Sequence, residues 1–242
     1  MKQRSYSIIW EDEHMLVVNK AAGVLSIPDR YDPEKSNLQS LLSKQFGQIW
    51  TVHRIDKDTS GLICFAKTEQ AHKALSQQFA AHEPQKIYLA ITNGQLSNDE
   101  GVIEHKLAQD PIKKGRVVVA AKGKVAITHY QIAERFGTHT AVQVQIKTGR
   151  THQIRVHLQA LGHPILADPF YSPKPHFFVS SIKKKKYQKS KHSVERPLLS
   201  RTALHAFQLR IKHPMSGEEL NFEASLPKDM RAVVNQLRKW DM

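Results

Sequence analysis

The sequence predicts an α+β fold, on three observations. Short β-branched or apolar runs, bounded by Gly, Pro or charged turns, recur along the whole chain. Between them lie segments whose apolar residues recur at helical spacing. Hydrophobic residues make up 40% of the 242 positions, enough to bury a core and to exclude global disorder.

In chain order, Tyr6–Trp10 and Met15–Asn19 are expected strands on either side of the acidic turn Glu11-Asp12-Glu13. Residues 20–37, rich in Gly, Pro, Asp and Ser, are an expected loop. Leu38, Leu41, Leu42 and Phe46 repeat at helical spacing, with Asn37 placed to cap. Leu62–Ala66 is a compact apolar run and an expected buried strand; Thr68 caps a helix through Ala81, with Ala71, Ala74, Leu75 and Phe79 on one face. Ile87–Thr92 is a strand, closed by an Asn93-Gly94 turn. From about Gly101 to Lys147 the pattern is mostly strands, among them Arg116–Ala120, Val125–Ile132 and Thr140–Ile146. Thr151–Leu161 is an expected helix with Ile154, Leu158 and Leu161 as its stripe and Gly162 as its stop. Leu204–Ile211 and Glu219–Ala224 form a closing hairpin around Ser216-Gly217, and residues 227–240 a terminal helix. The stretch 172–200, with two prolines near its start and then a run of lysines, is expected to be an inserted basic loop or hairpin within one domain spanning 1–242.

Charge narrows the function classes. Lys and Arg total 36 against 22 Asp and Glu, a net +14, which points to a polyanionic partner, most simply nucleic acid. The single cysteine excludes an internal disulfide and a Cys-cluster zinc site. No signal-peptide core opens the chain, and it lacks the run of about 18 apolar residues needed to span a bilayer; the expected compartment is the cytoplasm, with no membrane partner.

Four segments stand out in residue type. Val18–Leu25 ends a strand in Asn19-Lys20 and meets Gly23, as expected of a strand-to-turn transition with a surface lysine. Val52–Leu62 concentrates His53, Arg54, Asp56, Lys57, Asp58, Thr59 and Ser60 just before an apolar strand. Asp58, Thr59 and Ser60 suit a capped turn, whereas Asp56, flanked by Arg54 and Lys57, is either an ion-pair partner or a functional carboxylate. Tyr88, within Lys86–Ala90, is by itself expected to pack in the core. Lys147–Leu158 leads from Thr148-Gly149 into a basic helix start, where free backbone N–H groups favour anions; the alternative is a capped helix with ordinary surface basics. Arg155, next to the stripe residue Ile154, can lay its stem on the core and turn its head inward. His152 and His157 lie five apart with no completing Glu or His, so no metal site is expected.

Taken in order, these segments resemble the RluA-type pseudouridine synthases. The resemblance is carried by VNKAAGVLSIP (18–28), HRIDKDTSGL (53–62), KIYLA (86–90) and TGRTHQIRVHLQALGHPILADPFY (148–171), with Leu204-His205-Ala206 and the stretch His213–Leu220 behind them. HRIDKDTSG and TGRTHQIRVH are highly specific as a pair. The resemblance implies a mixed, largely antiparallel sheet with flanking helices and a central catalytic cleft. It implies isomerisation of uridine in RNA to pseudouridine, without metal or cofactor. It places the catalytic aspartate at Asp56, the active-site tyrosine at Tyr88, the arginine partner of the aspartate at Arg155 and the base-displacing arginine at Arg54, with His53, Arg150 and Lys20 as further RNA-binding positions. Ribosomal RNA is the favoured substrate, with transfer RNA and a catalytically silent RNA-binding or ribosome-assembly role as alternatives; a monomer is expected. The family motif usually carries Pro after Asn-Lys, where this chain has Ala21. No N-terminal RNA-binding module is expected before Tyr6, so the catalytic domain itself would grip the RNA. The lysine-rich 172–200 segment is either an auxiliary grip or a solvated loop.

Overall fold

The computed structural model describes residues 4–29, 32, 34–183 and 194–242, so most of the lysine run, read as either auxiliary grip or solvated loop, lies outside the described residues. The chain divides into two compact units, Met1–Tyr88 with His205–Ser225, and Leu89–Leu204 with Leu226–Met242.

The first unit contains β1 (Tyr6–Glu11), β2 (Met15–Lys20), α1 (Leu38–Phe46), β3 (Trp50–Thr51), β4 (Ser60–Ala66), α2 (Glu69–Ala80) and the start of β5 (Gln85–Asn93). The return segment adds β10 (Leu204–Lys212) and β11 (Glu219–Glu223). Its strand order is β1-β2-β4-β10-β5, with β3 also on β4 and β11 on β10. Pairing is antiparallel for β1·β2, β2·β4, β3·β4 and β10·β11, and parallel for β4·β10.

Why β2 and β4 read as unbroken apolar runs follows from the two-residue period of a strand. Met15 and Val17 join Leu62, Cys64, Ala71 and Leu75 in one core, while Leu16 and Val18 join Ile63, Phe65, Leu38 and Leu42 in another. Alternate side chains thus enter opposite layers, α2 contributing to one and α1 to the other, and neither face of β4 is left to water. Each fully buried Leu or Ile contributes on the order of 1.5–3 kcal/mol. Both helices start where expected: Asn37 accepts from the Ser40 N–H, and Thr68 from the Ala71 N–H.

The second unit contains the rest of β5, then β6 (Glu100–Gln109), β7 (Val117–Val119), β8 (Lys124–Arg135), β9 (His139–Ile146), α3 (Gln153–Ala160), α4 (Ser180–Lys183) and α5 (Lys228–Trp240). Strand order is β5-β9-β8-β6-β7, with β6·β7, β6·β8 and β8·β9 antiparallel. Val156 of α3 packs with Leu107, Val117, Ala126 and Tyr171. On α5, Met230, Val233, Val234 and Leu237 form the buried stripe. Its ends are tied by Asp229 to Arg201, at 2.7 and 2.9 Å, and by Asp241 to Thr138 and His139. The mixed, largely antiparallel pairing and flanking helices agree with the α+β expectation.

Three local expectations change. The helix expected from Thr151 begins at Gln153, because His152 takes a left-handed conformation (φ 55°). The two-residue β3 carries too little pattern to be seen in sequence. Within 172–200, the antiparallel bridge between Phe177 and Leu199 suits the expected loop or hairpin, but α4 between them is helical.

Gly61 (φ 114°) is where β4 runs against β10: a Cβ there would stand 2.6 Å from the Ala206 nitrogen and overlap its carbonyl oxygen. Gly61→Ala is therefore expected to cost more than about 3 kcal/mol, since neither backbone can yield. Urea unfolding measures this, and a midpoint close to wild type would contradict it.

Candidate active site

In the first unit, the segment between β3 and β4 carries His53, Arg54 and Asp56, and its backbone is held by hydrogen bonds at Ile55, Asp56 and Lys57. The Ile55 carbonyl accepts from the Ser26 hydroxyl at 2.7 Å, and the Ile55 N–H donates back to Ser26 Oγ. The Asp56 carbonyl accepts from the Thr59 N–H, and the Lys57 carbonyl from the Gly23 N–H. Lys20, at the end of β2, completes the arrangement. Its ammonium donates to the carbonyls of Ala21, Val24 and Lys57 at 2.9, 2.7 and 2.9 Å.

Lys20 is not the surface lysine expected of a plain turn, because its side chain is fully buried. The chain after β2 curls so that backbone carbonyls face inward, and an ammonium is the one side-chain group that brings three donors to a single point. Ser60 also departs from expectation. Instead of capping the turn, its hydroxyl bonds His205 Nδ1 at 2.9 Å, and His205 Nε2 bonds the Ala224 carbonyl at 2.8 Å.

His53 is a fixture of the same loop. Its Nε2 accepts the Cys64 N–H of β4 at 2.9 Å, and its ring stacks on Phe79 at 4.5 Å. Burial, then the neighbouring charge of Lys86, lowers its pKa to about 3, so it stays neutral. A neutral ring whose acceptor nitrogen serves the backbone is suited to positioning rather than to holding phosphate. Arg54 is exposed and Asp56 half-buried.

Tyr88 is buried on β5. Burial, and secondarily the charge of Asp56, pushes its phenol well above the ordinary range. The phenol is thus a neutral donor within electrostatic reach of an acidic side chain. The core packing expected for Tyr88 and electrostatic reach to Asp56 coexist in this one residue.

In the second unit, α3 carries Arg155 into the interior. Its guanidinium makes two parallel bonds to Asp168, Nε to Oδ2 at 2.6 Å and Nη2 to Oδ1 at 2.9 Å, with both residues buried. Asp168 Oδ1 also accepts the N–H groups of Phe170 and Tyr171, whose rings lie 5.6 and 5.1 Å from the guanidinium carbon. Two bonds and two ring faces leave the guanidinium plane no freedom to rotate. Arg150, on the turn leading into α3, is exposed and donates from Nε to the Val125 carbonyl at 3.1 Å.

Unit by unit, Lys20, His53 and Asp56 share one fastened loop system whose charge reaches Tyr88, and Arg150 and Arg155 belong to α3 and its lead-in. Asp168 and Ser26 were not singled out in sequence. The available signal for Asp168 was an acid closing the apolar run Ile165-Leu166-Ala167, where burial demands a cation.

Comparison with known proteins follows the same segments. A family model described as RNA pseudouridylate synthase matches residues 14–160. A protein named ribosomal large subunit pseudouridine synthase D from Nitrosomonas europaea is 38% identical over 96% of this chain, which spans 65% of that protein's length. The protein of the same name from Zymomonas mobilis is 35% identical over 95% of this chain and 72% of its own. Among solved structures, human RNA pseudouridylate synthase domain containing 4 superposes with a TM-score of 0.75 at 26% identity, covering 96% of this chain and 93% of that one.

Lys20→Met is expected to cost about 2–4 kcal/mol, because three charge-assisted bonds to loop carbonyls are lost; an unchanged urea midpoint would contradict the clamp. Acid should also destabilise the fold through two histidines. His157 on α3 is fully buried, neither ring nitrogen has a hydrogen-bond partner among the described residues, and burial followed by the charge of His105 lowers its pKa to about 4. With His53 near 3 and unfolded values near 6.5, the unfolded chain binds more protons as pH falls below 6.5. The stability these groups contribute is present above 6.5 and is lost toward pH 4. Near pH 5, His157→Leu should flatten the stability–pH slope by about 1.2 kcal/mol per unit, measured by urea unfolding across the range.

Proposed function

The chain belongs to the RNA pseudouridylate synthase family, and on that premise we propose that it isomerises selected uridines of large-subunit ribosomal RNA to pseudouridine. The observation that carries the proposal is Asp56. Its position lies within the family match, its loop is fastened by buried hydrogen bonds, and its charge is felt by the buried phenol of Tyr88.

The chemistry follows from these groups. Uracil must leave the ribose, turn, and be rejoined through C5. An ionised Asp56 assists departure of the base, and nucleophilic attack and sugar deprotonation both draw on the same carboxylate. Tyr88, protonated at all physiological pH values, offers a flat ring to stack on the free uracil and a hydroxyl to pass on the C5 proton. Arg155 is the third member, with its guanidinium plane fixed by Asp168. Arg54, exposed on the Asp56 loop, takes the place of the extruded base, an extrusion that costs a few kcal/mol. His53 and Lys20 act by positioning the loop, and Arg150 by contacting RNA.

The proposal includes no metal and no cofactor, and a monomer working in the cytoplasm. Among the described residues, no helix is long and apolar enough to cross a membrane. The net charge of +14 supplies sequence-independent attraction to phosphate, which weakens as salt rises.

Asp56→Asn is nearly isosteric and should abolish pseudouridine formation in a ribosomal RNA transcript while leaving RNA affinity close to wild type. Tyr88→Phe keeps the stacking ring and loses the proton relay, so the rate should fall by about 10²–10⁴. Mass-spectrometric mapping of the product reads both. A wild-type rate from Asp56→Asn would sink the assignment, and unmodified RNA bound tightly by the wild-type protein would favour a silent binding factor.

A further inference from the structure

The second unit contains a pocket with three cations on one part of its lining and the neutral β6 and β7 residues Leu107, Gln109 and Val117 on the rest. It has a volume of about 440 Å³ and is bordered by Lys122, Lys124, Arg150 and Thr151, with Gly123 and Gly149 between them; among the described residues no carboxylate lines it. No aromatic ring lines it either, so it offers no platform for a base. Lys122, Lys124 and Arg150 are all exposed, so the pocket opens to solvent along a surface rather than enclosing a small molecule.

The pocket is built rather than incidental. Gln153, almost fully buried, fixes the turn that carries Arg150. Its Oε1 accepts the Thr148 hydroxyl at 2.7 Å and the Arg150 N–H at 3.0 Å, and its Nε2 donates to the Ile127 carbonyl and Thr128 Oγ1, both at 2.9 Å. Arg150 is further held by Nε on the Val125 carbonyl, while its terminal amino groups make no hydrogen bond among the described residues. A guanidinium anchored at one nitrogen, with the fork unengaged, is preorganised for an oxyanion. On the other side, the turn bearing the lysines closes on β6: a Cβ on Gly123 would stand 2.6 Å from the Leu107 nitrogen. A Cβ on Gly149 would have nothing within 4 Å, so backbone lies bare at the rim.

We infer that this pocket seats backbone phosphates of the RNA, gripping the substrate without reading its sequence. The inference rests on the proposed function for the nature of the ligand, and on the pocket alone for its place. It adds Lys122 and Lys124 to Arg150 as a phosphate contact set that does not include Asp56, Tyr88 or Arg155. Each phosphate neutralised steepens the fall of log K with log salt by about 0.7 for single strands and 0.9 for duplex.

The test measures binding of a fluorescent stem-loop transcript of ribosomal RNA at several KCl concentrations, with every protein carrying Asp56→Asn so that the RNA stays unmodified. Lys122→Gln with Lys124→Gln should make the salt slope shallower by about 1.4–1.8, and adding Arg150→Gln by about 0.7–0.9 more. Lys44→Gln with Lys73→Gln, on exposed positions of α1 and α2, removes the same charge elsewhere and should change the slope less. Equal changes from both pairs, or none from the pocket pair, would overturn the inference. Mapping of product made by the otherwise wild-type protein is read separately. Pseudouridine formed with an unaltered pocket-variant slope rejects the pocket and keeps the function, whereas a slope change with no pseudouridine keeps the pocket and rejects the function.

Discussion

A lysine ammonium buried at the end of β2 and bonded to three backbone carbonyls is the interaction on which the geometry of the Asp56 loop depends. A buried cation costs several kcal/mol in lost hydration, and only good geometry offsets it. Here the three donors gather the carbonyls of Ala21, Val24 and Lys57 at one point, so cation and loop justify each other. One of those carbonyls belongs to Lys57, the residue after Asp56, and Ser26 holds the residue before it. The carboxylate is therefore carried by a backbone with both neighbours fixed. The proposed role of Asp56 calls for a side chain held in place, and this loop restrains its backbone without regular secondary structure.

The second unit solves a similar problem differently. Arg155 lies in a helix, but its head is steadied by Asp168 and two aromatic rings. Buried ion pairs contribute little net stability relative to apolar packing, so the pair is better explained by the orientation it imposes than by energy. Arginine suits such a place because its planar fork fixes direction, which a lysine ammonium does not. Lys20 and Arg155 thus divide the work by type: a point charge to gather carbonyls, and a planar one to hold an angle.

Much of the fold was legible in sequence. The runs MLVV and LICFA, the caps Asn37 and Thr68, the stripe on α5 and the closing hairpin were all visible, because each follows from local periodicity or capping chemistry. The misses share a cause. Lys20 looked like a surface residue because its partners are carbonyls, which sequence does not display. Asp168 was passed over because its partner lies 13 residues away on another element. Ser60 looked like a cap because its actual partner, His205, arrives from the far end of the chain. Asp56 and Tyr88 were proposed through motif resemblance, since neither residue type nor spacing alone marked them as a pair.

The most direct test of the account is a site-resolved map of pseudouridine across large-subunit ribosomal RNA from cells with and without this chain. The account predicts that one or a few uridines lose the modification when the chain is absent and regain it when the wild-type gene returns. A map unchanged by the loss of the chain would contradict it.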